Sequence, residues 1–132
     1  MFRVYTASKL KHAAMWKAIH DSHPDIYFHA RWLKHTLQLQ TPDTPENAAT
    51  FWLQDEADVV TSDAVFVYAA PDDHLRGALV EAGIGIAHGK PIYVIGKHPD
   101  FGTWQYHPLV TQVETIEEAI EHLAGRMKCD HF

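Results

Sequence analysis

Apolar segments of the kind found in β-strands alternate with helical segments along the whole of this 132-residue chain. The run at residues 64–70 is apolar throughout, which is typical of a central strand buried on both faces. Regular alternation of this kind predicts a parallel sheet with helices on both sides. We therefore expect one domain spanning residues 1–132. Its fold class is α/β, a doubly wound, Rossmann-like or flavodoxin-like open sheet of about five strands in three layers.

The element boundaries follow from periodicity and from residues that begin or end helices. Strands are predicted at residues 2–7, 25–29, 64–70, 91–96 and 109–113, helices at 9–20, 46–61, 74–88 and 115–127, and loops at 38–45 and 97–108. Ser8, Thr44 and Thr115 each stand where a hydroxyl can cap a helix. Pro45 then suits the first helical position, because it lacks an N–H that the helix would leave unpaired.

Composition excludes several classes of protein. The formal net charge is −6 and no basic run occurs, so a nucleic acid polymer is not expected as a partner. No apolar run approaches the roughly 20 residues that a membrane span needs. The single cysteine, Cys129, excludes a disulfide within the chain. The start of the chain does not resemble a signal peptide, so we expect a cytoplasmic protein.

The eleven histidines invite a metal hypothesis that their spacing does not support. The sequence contains no H-E-x-x-H segment and no pairing of histidine with cysteine at metal-ligand spacing. Histidines that form hydrogen bonds or lie at the surface are the simpler interpretation. We predict neither a metal site nor a cofactor.

Ligands of open parallel sheets bind at the carboxyl ends of the strands. The predicted topology gathers five polar residues at that edge, namely Tyr5, Ser8, Arg31, Asp73 and Glu81. The side chain of Trp32 either stacks on a bound base or packs against the next helix. Arg31 is a candidate for holding a phosphate because its guanidinium is planar and always charged.

The helix predicted at residues 74–88 carries the most informative residues. Glu81 stands among apolar residues, with Gly77 one turn before it and with Gly83 and Gly85 after it. Glycine lowers helix propensity by roughly 1 kcal/mol relative to alanine, so such glycines indicate close approach of another backbone or a ligand. Glu81 is therefore either a nucleophile or base in a pocket, or a solvated residue at the helix edge.

Several motifs resemble the nucleoside 2-deoxyribosyltransferase superfamily, which includes the 2′-deoxynucleoside 5′-phosphate N-hydrolases. They are G-A-L-V-E-A-G at residues 77–83, G-K-P-I-Y-V-I-G at 89–96, D-E-A-D-V-V-T-S-D at 55–63 and V-Y-T-A-S at 4–8. The resemblance is clearest from residue 52 to residue 96. It implies cleavage of the N-glycosidic bond of a small nucleoside or nucleotide.

The same resemblance implies roles for single residues. Glu81 matches the nucleophile of the superfamily, and Asp55 matches the aspartate that handles protons at the base, with Asp58 as the alternative if the register is shifted. Tyr5 and Ser8 match positions of the ligand-binding loop. A carboxylate below the anomeric carbon can stabilise oxocarbenium charge and form a covalent intermediate.

Further candidates for contacting the substrate are Lys9, Arg31, Trp32, Asp73 and Gly77. Lys9, Lys11 and Arg76 face either a 5′-phosphate or solvent, and solvent is the more common position for such residues. Members of the superfamily are oligomers with shared pockets, so the resemblance implies a homodimer or a larger homo-oligomer. The aromatic loop at residues 101–107 then lines the pocket or packs on a neighbouring subunit.

One position departs from the superfamily pattern. Deoxyribosyltransferases have an aspartate six residues before the nucleophile, and here that position is Leu75. This departure disfavours base transfer and leaves hydrolysis, or a variant substrate, open. Two other functions compete with catalysis: a nucleotide-binding protein on the same fold, and a receiver-like interaction domain. The segment Val4-Tyr5-Thr6-Ala7 disfavours the receiver, because it lacks the acids that a receiver carries after its first strand.

Overall fold

The computed structural model describes residues 2–37 and 43–129. The strands are β1 (Phe2–Ala7), β2 (Ile26–Phe28), β3 (Ala64–Tyr68), β4 (Ile92–Ile95) and β5 (Val110–Val113). The α-helices are α1 (Ala13–Ser22), α2 (Arg31–Leu37), α3 (Pro45–Thr61), α4 (Gly77–Ala87) and α5 (Ile116–Cys129). Short 3-10 turns cover Leu10–His12 and Thr103–Tyr106.

The strands form one parallel sheet in the order β2-β1-β3-β4-β5, which confirms the predicted fold class. The chain moves outward from β1 to β2 and then crosses back to β3, so the strand order reverses between β1 and β3. A crevice opens at the carboxyl edge at such a reversal, because the two flanking connections leave on opposite faces of the sheet. The candidate site is therefore expected beside the ends of β1 and β3.

Helices cover both faces of the sheet. The Tyr93 ring of β4 lies against His122 of α5 on one face, whereas Ile92 and Val65 lie against Gly85 of α4 on the other. The central strand β3 is buried on both faces from Ala64 to Val67. Its continuous apolar sequence is therefore explained by burial on two sides. None of the described helices is both long and apolar enough to cross a membrane.

The close packing of α4 depends on Gly85. A β-carbon at this position would lie 2.8 Å from Ile92 Cδ1 and 3.0 Å from Val65 Cγ2. The atoms that approach Gly85 are side-chain atoms, not the backbone or ligand that was predicted, and nothing lies within 4 Å of a β-carbon built on Gly83. Because Gly85 lets α4 lie directly on the sheet, Glu81, one turn earlier in α4, is held close to the end of β1.

The structure corrects three predictions about helices. The helix predicted from residue 9 begins at Ala13, after the 3-10 turn Leu10–His12, and Ser8 does not cap it. The sequence did not predict α2, which begins at Arg31, where the Arg31 backbone N–H donates to Asp58 Oδ2 at 2.8 Å. The helix predicted from residue 74 begins at Gly77 instead. The Leu75 N–H before it donates to Asp100 Oδ2 at 2.7 Å. Of the loop predicted at residues 38–45, residues 38–42 lie outside the described residues.

Candidate active site

A cavity of about 240 Å³ opens at the carboxyl edge of the sheet, between α2, α3 and the start of α4. Eight of the residues singled out from the sequence line it, namely Ser8, Lys9, Trp32, Asp55, Leu75, Arg76, Gly77 and Glu81. The cavity lies beside the ends of β1 and β3, where the reversal of strand order predicts a ligand site.

Glu81 lines this cavity and is bonded to Tyr5, which lies behind it and does not line the cavity. The Tyr5 hydroxyl on β1 donates a hydrogen bond to Glu81 Oε2 on α4. Tyr5 is fully buried and Glu81 is only 6% exposed. Glu81 therefore lies inside the protein, against the cavity, and the alternative of a solvated residue at the helix edge is wrong.

Burial raises the pKa of the Glu81 carboxyl well above its ordinary value. The charged form loses its hydration in the apolar surroundings, which favours the neutral acid. The hydrogen bond from the Tyr5 hydroxyl acts in the opposite direction, because it stabilises the carboxylate. A cationic group or developing positive charge beside Glu81 would also favour its ionised form.

Asp55 is the second carboxyl group of the cavity, on α3. Burial, together with the nearby Asp58 carboxylate, raises the pKa of Asp55 to about 6, although His35 and Arg31 act to lower it. A carboxyl group with this pKa exchanges its proton near neutral pH, which is what proton transfer to or from a ligand requires.

Asp58, the alternative to Asp55 in the sequence, is held away from the cavity. Its carboxylate accepts from Arg31 Nε at 3.0 Å and from the Arg31 backbone N–H at 2.8 Å. Asp58 is buried, and it joins α3 to the start of α2. Asp58 and Arg31 are both absent from the lining of this cavity. In this structure the guanidinium of Arg31 faces Asp58 and the Gln54 carbonyl oxygen.

Aromatic side chains form the cavity wall opposite α4. The Trp32 indole N–H donates to the Thr6 carbonyl oxygen at 2.8 Å, so the ring is buried and fixed to β1. The His35 ring stacks on Phe51 with ring centroids 4.8 Å apart and an interplanar angle of 13°. Trp52 lies at the mouth, 39% exposed, and its ring contacts Gly77. Flat rings arranged in this way suit a flat ligand.

Three residues of this side of the cavity were not predicted from the sequence, namely His35, Thr36 and Phe51. The first two belong to α2, which was not predicted, and Phe51 was placed on a helix without an assigned face. A helix predicted over residues 31–37 would have placed His35 and Thr36 on the same side as Trp32 and so identified these two.

Asp73 lies outside the cavity and joins two segments of the carboxyl edge. Its buried carboxylate forms an ion pair with Lys11 Nζ at 2.7 Å, is hydrogen-bonded to His12 Nε2 at 2.7 Å, and accepts from the Ala70 N–H at 2.8 Å. Burial acts to raise the pKa of Asp73, but these contacts outweigh it and hold the pKa below its ordinary value. Asp73 therefore connects the turn after β1 to the turn after β3 in this structure.

Two cations lie at the cavity, Lys9 and Arg76. Ser8 also lines the cavity, and its hydroxyl is fixed to α1 because it accepts from the Trp16 indole N–H at 2.8 Å. Lys11 pairs with Asp73 instead. Leu75, at the position where deoxyribosyltransferases have aspartate, contributes an apolar side chain to the lining.

The aromatic loop at residues 101–107 does not line this cavity. Phe101 is buried in the core and packs edge-to-face on Trp104, whereas Tyr106 is exposed. Among the described residues, no three His, Cys, Asp or Glu side chains are grouped so that they could hold a metal ion.

The strand order and the position of the cavity define an open α/β fold with a candidate site at the carboxyl edge. One solved structure with this fold is the CMP N-glycosidase BcmB of Clostridium botulinum. The two chains are 16% identical, and the match covers 98% of this chain and 99% of that chain with a TM-score of 0.51. At this identity the likeness shows a shared fold. It agrees with the fold implied by the resemblance to the nucleoside 2-deoxyribosyltransferase superfamily.

No family model matches this sequence. No curated protein matches it at a significant level.

Proposed function

We propose that this protein cleaves the N-glycosidic bond of a nucleoside or a nucleoside 5′-phosphate, with Glu81 as the nucleophile. One observation carries the proposal: a buried glutamate, hydrogen-bonded by a tyrosine hydroxyl, faces a cavity that has a second carboxyl group and an aromatic wall. The second carboxyl group is that of Asp55, whose pKa is raised to about 6. The fold shared with a CMP N-glycosidase supports it.

The reaction divides into two steps. A Glu81 carboxylate oxygen bonds to the anomeric carbon as the bond from that carbon to the base nitrogen breaks. The base leaves with the bonding electron pair and accepts a proton, which Asp55 is placed to supply. Water or a second base then attacks the anomeric carbon and loses its proton to the Asp55 carboxylate left by the first step, and the bond to Glu81 breaks to release the Glu81 carboxylate.

The cavity suggests how the substrate is oriented. Trp32, Phe51 and Trp52 offer apolar ring faces for the base. Lys9 and Arg76 lie where a 5′-phosphate of the same ligand would find positive charge. Ser8 adds a fixed hydroxyl beside them. In this orientation the sugar lies over Glu81, between the aromatic wall and the two cations.

Arg31 and Asp73 remain candidates for substrate contacts only if their present ion pairs open. Arg31 pairs with Asp58 and Asp73 with Lys11 and His12, and neither lines the cavity. We assign both to holding the cavity walls rather than to the substrate.

A second copy of the chain is proposed to cover the mouth of the cavity. Trp52 lines the cavity and is 39% exposed, and two further apolar side chains on the same two helices are exposed, Leu53 on α3 by 71% and Val80 on α4 by 53%. Apolar surface on adjacent helices is typical of a contact between subunits. Light scattering should show a homodimer or a larger homo-oligomer, and Leu53→Glu should dissociate it. A strict monomer at high concentration would contradict this assembly.

The decisive experiment is the release of free base from a panel of nucleosides and nucleoside 5′-phosphates, followed by chromatography. Glu81→Gln should reduce turnover by orders of magnitude while the variant stays folded, because the lost carboxylate acts mainly in the transition state. Glu56→Gln is the matched control, because it makes the same change at an exposed position of α3 that does not line the cavity. Mass spectrometry should detect a glycosyl group on Glu81.

Near wild-type turnover in a folded Glu81→Gln variant would exclude the mechanism. Binding of nucleotides without release of base from any member of the panel would instead indicate a nucleotide-binding protein on the same fold.

A further inference from the structure

A second cavity lies on the other side of α2, between α1 and β2. Its volume is about 340 Å³. The side chains of Trp16, Phe28 and Leu33 are buried and give this cavity an apolar floor. None of its lining residues in the described part of the chain is acidic.

Three cations surround this floor, although the whole chain carries a net charge of −6. They are Lys17, Arg31 and Lys34. Lys17 Nζ lies 2.8 Å from Asp21 Oδ2 in an ion pair whose two side chains are both more than half exposed. Exposed pairs of this kind contribute little energy and exchange readily, so Lys17 is available to another anion. The Arg31 side chain is about half exposed beyond its contact with Asp58.

Aromatic groups form one side of the second cavity. The His20 ring packs edge-to-face on Phe28 at 5.8 Å and on Tyr27 at 6.3 Å between ring centroids. His20 Nδ1 lies 3.0 Å from the Ile26 carbonyl oxygen, which fixes the ring. Tyr27 is exposed on the edge strand. A flat apolar group therefore has ring surfaces to contact as well as a buried floor.

We propose that this second cavity binds a small anion with a flat apolar body, of the aryl phosphate or aryl carboxylate class. The ring would rest on the floor formed by Trp16, Phe28 and Leu33, and the anionic group would face Lys17, Arg31 and Lys34. An apolar cavity with a few convergent charged groups is the usual form of a small-molecule site. This proposal does not depend on the reaction assigned to Glu81.

The two cavities share α2 as a wall. Arg31, Leu33 and Lys34 line the second cavity, whereas Trp32, His35 and Thr36 line the first. A ligand in the second cavity therefore contacts the same short helix that carries the aromatic wall of the candidate active site.

The test uses the full chain, phenyl phosphate as the probe and backbone amide NMR as the readout. Benzyl alcohol lacks the charge of this probe, and inorganic phosphate lacks its ring. With phenyl phosphate we expect saturable shifts at residues 16–20 and 27–30, none of which lines the first cavity, and markedly weaker binding of the other two compounds. Lys34→Gln should weaken the binding of phenyl phosphate, measured from the shifts at these residues, about threefold to tenfold, as expected for the loss of one exposed cation.

Lys9→Gln is the matched control, because it removes a cation from the first cavity and leaves the second intact. It should not change the shifts at residues 16–20 and 27–30. The proposal is overturned if phenyl phosphate produces no saturable shifts there, or if inorganic phosphate binds equally well. It is also overturned if Lys9→Gln abolishes these shifts while Lys34→Gln does not. Thermal melts confirm that both variants are folded.

Discussion

The hydroxyl of Tyr5, on the central part of the sheet, donates a hydrogen bond to the carboxyl group of Glu81, on the helix that packs above it. Both side chains are buried, so this bond forms with little competition from water. A buried carboxylate with one fixed donor is stabilised in its ionised form by that donor. In the proposed mechanism, the pair controls how readily Glu81 acts as a nucleophile.

Tyr5→Phe should reduce turnover about 10-fold to 100-fold, because a hydrogen bond to a charged group contributes about 1.5–3 kcal/mol. The pKa of Glu81 should rise further, so the pH at which activity appears should also rise. Tyr93→Phe is the matched control, since its hydroxyl contacts His122 on the opposite face of the sheet. Equal losses in the two variants would show that the effect of Tyr5 is structural.

Asp55→Asn should change the pH dependence of kcat/KM. If Asp55 donates a proton to the leaving base, wild-type activity should fall as the pH rises through about 6, the pKa to which burial raises this group. The variant should be slower and should lack that decline. Measuring kcat/KM across the acidic and neutral pH range, with Glu56→Gln as the control, tests this. An unchanged profile in Asp55→Asn, with activity lost only in Asp58→Asn, would transfer the role to Asp58.

Glu81→Gln should stabilise the fold at neutral pH. Folding raises the pKa of Glu81, so the folded chain binds more protons than the unfolded chain above the ordinary value of 4.5. The free energy of unfolding of the wild type therefore decreases as the pH rises above 4.5, until Glu81 is fully ionised in the folded chain. Below pH 4.5 Glu81 causes no such decrease. Thermal melts should show a difference in Tm that grows with pH, by about 4 °C per kcal/mol. A constant difference across pH would contradict the buried position of Glu81.

Alanine at the two glycines of α4 should have opposite effects. Gly83→Ala should stabilise the protein by about 0.5–1 kcal/mol, because its β-carbon meets open space and alanine favours helix. Gly85→Ala should destabilise it by about 1–3 kcal/mol, because its β-carbon overlaps Ile92 and Val65. Denaturant unfolding of the two variants provides the comparison. Similar effects would mean that α4 does not pack on the sheet as described.

The sequence predicted the sheet well because its strands are apolar and bounded by local turn and cap residues. It did not predict α2, because the carboxylate that caps this helix belongs to Asp58, 27 positions away from Arg31. The start of α4 was missed for a similar reason, since Asp100 fixes Leu75 from a distant loop. Patterns of neighbouring residues do not indicate contacts between residues that are this far apart in the sequence.

The candidate site, like the fold, was predictable from the sequence only where local motifs define it. Glu81 and Asp55 were found because they belong to motifs with a recognisable spacing, and both line the cavity. Arg31 and Asp73 were expected at the same edge, but each is held by a partner on another segment. Position at the carboxyl edge follows from topology, whereas the direction of a long or charged side chain depends on which opposite charge lies nearest.

The bond between the Trp32 indole and the Thr6 carbonyl oxygen has a thermodynamic consequence. Thr6 directly follows Tyr5, so the aromatic wall and the donor to Glu81 are fastened to adjacent residues of one strand. A ligand that stacks on Trp32 does not have to restrict this side chain first, and the entropic cost of binding is correspondingly small. If the proposed reaction holds, the spacing between the aromatic wall and Glu81 is set by the fold and does not have to form when the substrate binds.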